Sequence, residues 1–338
     1  MHKTRINILY QSDDKYAPIT GVSMTSLLEN NKELEDIHIY LLDDRISKEN
    51  REKFRELAGR YNRTLEFLDM SEASDFLAEH HAPTWQGSYA AYGRLFAIEL
   101  IQEEIDRLLY LDSDTVVNGH IDTLYQTDFE GNVCAMVQDA LPNIVGKTIG
   151  LSNAHMYFNS GVILFNADLW RGSNWGERIR HTLLRSDFIL VFPDQDVINK
   201  ALDGKIKRLG LENNFFVSML TWGVDRYRYA YRLERKERFY SKESMVEASE
   251  HAVIYHYVGN LFGRPWLAGN ESALTELWHR YLDISPWKGM AQWSVAAPWI
   301  ESFARVAAKI FPRPIIYRLS FSIHFYLTFP RRRGKTRQ

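Results

Sequence analysis

Hydrophobic and polar positions along the first two-thirds of the chain switch repeatedly between two periods. INILYQSD from Ile6, IHIYLLDD from Ile37 and LEFLDM from Leu65 are short apolar runs of strand character. Between them, TGVSMTSLLEN and SKENREKFRELAGRYN read as helices. In the second, Phe54, Leu57, Ala58 and Tyr61 fall at helical spacing and Ser47 is the expected N-cap. YGRLFAIELI predicts a further helix, DRLLYLDSD the strand behind it, and CAMVQD and GVILFNA two more strands. This β-α-β-α-β succession predicts an α/β fold with a mostly parallel sheet covered on both faces. Such sheets bind ligands at the carboxyl ends of their strands. Three strands here end in acids: Asp13-Asp14, Asp43-Asp44, and Asp112 with Asp114. From about Gly204 the pattern is less regular and more aromatic, and RYRYAYRLERKERF reads most simply as a solvated helix or loop.

The bulk numbers narrow the class. With 338 residues, 45% hydrophobic and 25% charged, the chain can bury a large core in one big domain or two. A single cysteine, Cys134, excludes an intramolecular disulfide and a Cys-rich zinc site. The opening MHKTRINILYQSDD has no apolar signal-peptide core, and no window of about 20 uninterrupted apolar residues predicts a spanning helix. The expectation is a cytoplasmic protein. No Gly-rich phosphate loop occurs, and RLERKER reads as a solvated face rather than a nucleic-acid site.

The chemistry is expected where LLYLDSDTVV places Asp112 and Asp114, with Ser113 between, inside an apolar run. A carboxylate in such surroundings is costly unless a positive group compensates it. At a strand end, residues i and i+2 share a side, so D-x-D brings two carboxylates together. Divalent Mg²⁺ and Mn²⁺ take oxygen ligands of this kind. A surface turn reads the same four residues, DSDT, equally well.

Further segments shift that balance. They are NILYQSDDKYA (7–17), AYGRLFAIELI with Arg94, MYFNSGVILFN with Asn159 at the head of a strand, FPDQDVIN (192–199) and IYHYVGNLFGRPW (254–266). In this order they resemble glycosyltransferase family 8, retaining enzymes of GT-A fold that use UDP-hexoses, and most nearly the bacterial α-glucosyl- and α-galactosyltransferases of the lipopolysaccharide core. The resemblance spans about Asn7 to Lys288. The pattern itself sets a boundary near Pro286 or Pro298, giving a catalytic domain over 1–285 and a C-terminal tail over 286–338. Beyond this, the resemblance assigns residues to roles. It implies that Asp13 hydrogen-bonds uracil, Tyr16 stacks on it and Lys15 lies near the nucleoside. Asp112, Asp114 and His256 would hold Mn²⁺, with Mg²⁺ as the alternative. Arg94, Asn159, Asp194 and Gln195 would hold the donor sugar, and Asp139 would lie near the transferring sugar and the acceptor. Ser113 and Gly259 fall among the nucleotide-sugar contacts. Arg264 stands where the family has a Lys on the diphosphate, in a loop two residues longer than the family's. The donor would be UDP-glucose or UDP-galactose, and the acceptor an oligosaccharide or lipid-linked glycan. Two other readings remain: a phosphatase of the haloacid dehalogenase type, which also uses D-x-D at a strand end, and a nucleotide-sugar binder without catalysis.

Charge is distributed unevenly. Trp299–Gln338 holds nine Lys and Arg against Glu301, a balance of +8, while the other 298 residues carry −10. Trp299, Ile300, Phe303, Ala307, Ile310 and Phe311 share one helical face, Pro312 and Pro314 end it, and RRRGK follows an aromatic stretch. This composition predicts a segment lying on an anionic membrane surface, with the protein peripheral on the cytoplasmic face of the inner membrane.

Overall fold

A computed structural model describes residues 5–82, 84, 89–141, 143–154, 156–185, 190–233, 239–258, 263–294 and 315–316. In chain order the strands among them are β1 (Ile6–Asp13), β2 (Ile37–Asp44), β3 (Thr64–Asp69), β4 (Arg107–Leu111), β5 (Thr115–Val117), β6 (Cys134–Gln138), β7 (Phe158–Asn166), β8 (Ile206–Arg208), β9 (Phe215–Phe216) and β10 (Ile254–His256). Seven form a sheet in the order β3-β2-β1-β4-β7-β6-β8, and β5-β10-β9 form a second, smaller sheet. In the large sheet β7 alone runs against its neighbours; every other pairing is parallel. That reversal sets the head of β7 beside the carboxyl end of β4, where the Asp112 N–H donates to the Gly161 carbonyl at 2.8 Å.

Alternation along each strand feeds two cores, one on each face of the large sheet. Ile6, Ile8, Leu109, Leu111, Ala135, Val137, Val162 and Leu164 face one core. Leu9, Leu108, Tyr110, Cys134, Met136, Ile163 and Phe165 face the other. The helix Ala17–Asn30 covers the first face and is buried along most of its length, which fits its weak amphipathicity. Lys48–Arg60 lies beside it. Its cap is Ser47, whose hydroxyl accepts from the Asn50 N–H, as the sequence predicts.

Several expectations are revised. YGRLFAIELI is not one helix but a 3₁₀ turn, Ala90–Leu95, followed by the short helix Ala97–Leu100. RYRYAYRL is a helix, as one of the two readings has it, but it is solvated on one side only: Val224–Tyr231 buries Tyr227 and Ala230, and Tyr231 stacks on Tyr227 with ring centroids 4.4 Å apart. At DSDT, where the sequence allows a strand end or a turn, the strand stops at Leu111. Asp112 to Thr115 is a turn closed by the Thr115 N–H on the Asp112 carbonyl, at 3.2 Å, and it carries the chain from the large sheet into the small one.

Past residue 285, where the tail was expected to begin, the chain stays packed on the body. Trp287 is buried, stacks edge-on against Phe54 at 4.8 Å and donates from Nε1 to Asn50 at 2.8 Å. Its ring occupies the space a Cβ at Gly21 would take, 2.2 Å from the nearest ring carbon. Trp293 then exchanges backbone hydrogen bonds with Trp266 and Ala268. Gly259 and the basic tail from 295, apart from 315–316, lie outside the described residues. Among the described residues no helix is long and apolar enough to cross a membrane.

Candidate active site

The small sheet builds the site. β10 pairs antiparallel with β5 so that His256 stands opposite Thr115, one residue past Asp114. β9 flanks β10 on its other side, with Phe216 opposite His256. The buried imidazole thereby reaches both acids: Nε2 lies 3.0 Å from Asp114 Oδ1 and 3.7 Å from Asp112 Oδ2. Single ligand atoms of Asp112, Asp114 and His256 all lie within 4.8 Å of one another. Gly161 leaves room for the ring; a Cβ there would sit 2.1 Å from His256 Cε1.

Two arginines frame this cluster. Arg94 is buried, and its Nη1 lies 2.9 Å from Asp112 Oδ1, 2.9 Å from the Ser160 carbonyl and 3.4 Å from Asp194 Oδ2. Its guanidinium also covers the Tyr110 ring, and the Tyr110 hydroxyl donates to Asp112 at 2.5 Å. On the far side Arg264 Nη1 lies 3.2 Å from Asp114 Oδ2. Burial pushes the Asp112 carboxyl up, against the pull of Arg94. Burial acts on Asp114 in the same sense, but His256 and Arg264 overcome it and hold that carboxyl well below the usual range. The acids inside the apolar run are thus compensated by fixed protein cations, a partnership the sequence reading assigned to a metal alone.

The donor set suits a divalent ion. It offers two carboxylates and one imidazole nitrogen converging on one point, a mixed oxygen and nitrogen shell that Mn²⁺ accepts readily. Arg264 Nε is buried without a hydrogen-bond partner among the described residues, a donor left over beside that point.

The other predicted residues fall into two groups. Asp139, Asn159, Asp194 and Gln195 assemble next to the acids. Asn159 Nδ2 donates to Asp139 at 2.9 Å, Gln195 Nε2 donates to Asp139 at 3.3 Å, and the Ser160 hydroxyl donates to Asp194 at 2.8 Å. Asp196 does not join them. It is buried on the other side of helix Pro193–Ala201, where the Tyr157 hydroxyl and the Val191 and Phe192 N–H groups donate to it. Asp13, Lys15 and Tyr16 lie at the end of β1. Asp13 Oδ1 accepts the Tyr16 N–H at 2.7 Å, bracketing the turn into the helix. Ser113 belongs to this end too, donating to the Gln11 carbonyl at 2.9 Å and accepting from Thr20 at 2.8 Å. Of the remaining strand-end acids, Asp43 serves a local turn by accepting the Ile46 N–H, and Asp14 ties the end of β1 to the start of helix Lys48–Arg60 by accepting from the Ser47 N–H and the Asn50 amide.

Sequence reasoning missed Ser160, Gly161, Asn214, Tyr110 and Trp293. Trp293 meets Tyr16 edge-on at 5.6 Å and lies under Lys15 Nζ at 5.2 Å. NSG at the head of β7 carried a usable signal, since a glycine inside a strand marks close approach by another group.

A sheet of this order with an Asp–Asp–His cluster at its carboxyl edge defines a glycosyltransferase of GT-A architecture. The chain belongs to glycosyl transferase family 8, whose sequence pattern matches residues 7–269. It is 29% identical over 286 residues to the lipopolysaccharide 1,2-glucosyltransferase of Escherichia coli K12, covering 84% of this chain and 79% of that one. It is 31% identical over 215 residues to a Haemophilus influenzae protein named as a glycosyltransferase; that match spans 62% of this chain and 63% of the relative's length. In fold it resembles the galactosyltransferase LgtC solved with donor and acceptor sugar analogs, with a TM-score of 0.62 at 22% identity over 87% of this chain and 99% of that one.

Proposed function

We propose that the protein is a metal-dependent, retaining hexosyltransferase that moves glucose or galactose from a UDP-sugar to a lipopolysaccharide core oligosaccharide. The observation that carries this reading is the convergence of Asp112, Asp114 and His256 within 4.8 Å, between Arg94 and Arg264. A diphosphate cannot approach two carboxylates directly. A divalent ion held by these three residues, Mn²⁺ by the chemistry of the set and Mg²⁺ as the alternative, supplies the positive charge that grips the diphosphate and stabilises it as a leaving group. Family membership and the lipopolysaccharide glucosyltransferase relative support the reading. They also weigh against a phosphatase, as does the engagement of Asp112 Oδ1 by Tyr110 and Arg94, which blunts it as a nucleophile.

The protein's own residues then divide the work. Tyr16, propped by Trp293, stacks on the base, and Asp13 keeps Oδ2 for a base N–H while Oδ1 holds its turn. Lys15 and Ser113 flank the nucleoside. Arg264 transfers from Asp114 to the diphosphate, where its planar fork suits two oxygens. Arg94, Asn159, Asp194 and Gln195 orient the hexose, and Asp139 faces the transferring sugar and acceptor. Gln195 Oε1 already accepts from the Ser160 N–H and from Asn159 Nδ2, and Asp194 is paired with Arg94 and Ser160, so neither is poised as a covalent nucleophile. The reading is therefore same-face substitution, in which the departing diphosphate takes the proton of the acceptor hydroxyl and the α-linkage is kept.

The tail belongs to the same proposal: a basic, aromatic segment holding the enzyme at the cytoplasmic membrane face, where a lipid-linked acceptor is built. The deciding experiment incubates the protein with Mn²⁺ and a panel of UDP-sugars, with and without excess EDTA. Metal-dependent UDP release from a UDP-hexose and an α-linked product by NMR are expected. Full activity in EDTA or a β-linked product overturns the metal or the retaining assignment, and binding without turnover makes the protein a nucleotide-sugar binder.

A further inference from the structure

Asn214 is assigned no substrate contact of its own, yet it decides how His256 faces the acids. It is fully buried at the end of the 3₁₀ turn Leu211–Asn214, directly before β9. Its side chain lies between two groups: Oδ1 is 2.9 Å from His256 Nδ1, and Nδ2 is 2.9 Å from Asn159 Oδ1.

The orientation of this chain of amides follows from its fixed end. A backbone N–H can only donate. The Gly161 N–H points at one end of the Asn159 amide, at 3.0 Å, so that end is the oxygen. The opposite end is then the NH₂, which faces the Asp139 carboxylate at 2.9 Å. The Asn159 oxygen also meets Asn214, so the atom Asn214 presents to it must be its NH₂. Asn214 consequently turns its oxygen to His256 Nδ1, and that nitrogen must carry a proton. The Asp114 carboxylate facing Nε2 at 3.0 Å can only accept, so without a metal that nitrogen shares a proton with it; with Nδ1 held as the donor to Asn214, Nε2 is the nitrogen left to become a ligand once that proton is displaced.

We propose that Asn214 is a positioning residue that holds His256 as the Nδ1-protonated tautomer, so that Nε2 is available as a metal ligand. The inference rests on the metal-site reading above for its purpose, but not for its geometry. Partners of this kind fix ligand histidines and typically govern metal affinity by about 10–100-fold. The same path continues through Asn159 to Asp139 and Gln195, so one ordered set of hydrogen bonds orients both the metal ligand and the residues facing the sugar.

Two measurements test it. In ¹⁵N-histidine-labelled, metal-free Asp114→Ala protein at alkaline pH, where the carboxylate that competes for a proton on Nε2 is gone, two-bond ¹H–¹⁵N correlation reads the tautomer of the neutral His256 ring, assigned by its loss when His256→Asn is added. A protonated Nδ1 with a bare Nε2 is expected, and the reverse tautomer overturns the proposal without any change at Asn214. The second measurement is free Mn²⁺ by EPR in the presence of saturating UDP, comparing two variants of nearly equal size. Asn214→Leu offers no acceptor and should weaken Mn²⁺ binding by about 10–100-fold, whereas Asn214→Asp keeps an oxygen on Nδ1 and should stay within about 3-fold of the natural protein. A merely structural role predicts the opposite order, because a buried charge is harder to accommodate than Leu at such a site. Mn²⁺ binding unchanged in Asn214→Leu, or weaker in Asn214→Asp than in Asn214→Leu, overturns the proposal. Failure of the natural protein to bind Mn²⁺ with UDP would instead count against the metal site, leaving the tautomer measurement to judge Asn214.

Discussion

The chain writes the pattern D-x-D twice, as DSD at 112–114 and DQD at 194–196, and the two stretches do different things. DSD lies in a turn between two sheets, and both carboxylates meet in one cluster framed by Arg94, Arg264 and His256. DQD opens a helix, where residues two apart are rotated by roughly 200° about the axis. Asp194 accordingly turns to Arg94 and Ser160, and Asp196 turns into the core onto Tyr157 and two backbone N–H groups. Spacing alone does not make a paired-acid site; the backbone that carries the spacing decides.

The largest test of that contrast lies in the turn. Asp114→Ala or Asp112→Ala should reduce UDP-sugar turnover below detection while far-UV circular dichroism stays that of the natural protein. Turnover surviving in Asp114→Ala would make DSD no more than a tight turn. Next in size, Asp194→Asn keeps the shape but removes the charge facing Arg94 and should lower kcat on the order of 10²-fold through lost orientation of the sugar. Mass spectrometry should find no covalent sugar on the protein. Gly161→Ala comes third. Its added methyl meets the His256 ring, and Mn²⁺ affinity, read by EPR with UDP present, should fall by about 10–100-fold with the fold retained.

Asp196→Asn gives the smallest effect on activity and acts on stability instead. Burial pushes the Asp196 carboxyl up to about 7 despite the Tyr157 and backbone hydrogen bonds. A carboxyl raised in the folded state stabilises the fold below its ordinary value and loses that contribution as pH climbs through the raised one. Denaturant stability of the natural protein should therefore fall between about pH 4 and pH 7 from this group. Asp196→Asn should flatten that part of the profile, and an unchanged slope would show that Asp196 is not the group responsible.

The sequence disclosed the elements whose apolar period is long and regular. β1 and β2 begin and end where the pattern says, and Ser47 caps its helix. It disclosed the chemistry-bearing residues at strand ends and at the head of β7. It did not disclose the small sheet, whose strands of two or three residues come from 115–117, 215–216 and 254–256 and are too short to show a period. The turn at Asp112 was legible as one of two readings of DSDT, and the apolar residues on both sides of it left a continuous strand equally open. Asn214 was invisible because a buried amide has no signature apart from its partners, and both partners are distant in the chain. The aromatic helix 224–231 was legible as a solvated helix but not in its buried side, because Arg226, Arg228 and Arg232 mask a packed Tyr227.

Trp287 and Trp293 bear on how the protein can be shortened. A chain ending at 285 would lose the ring that fills the gap over Gly21 and the ring that props Tyr16, not only the basic residues further on. Removing a buried tryptophan of this kind costs about 3–5 kcal/mol. Inactivity of such a chain would report the loss of these contacts to Gly21 and Tyr16 and say nothing about lipid. A cut after residue 294 keeps both rings, and only that version can separate what the tail does from what the body needs.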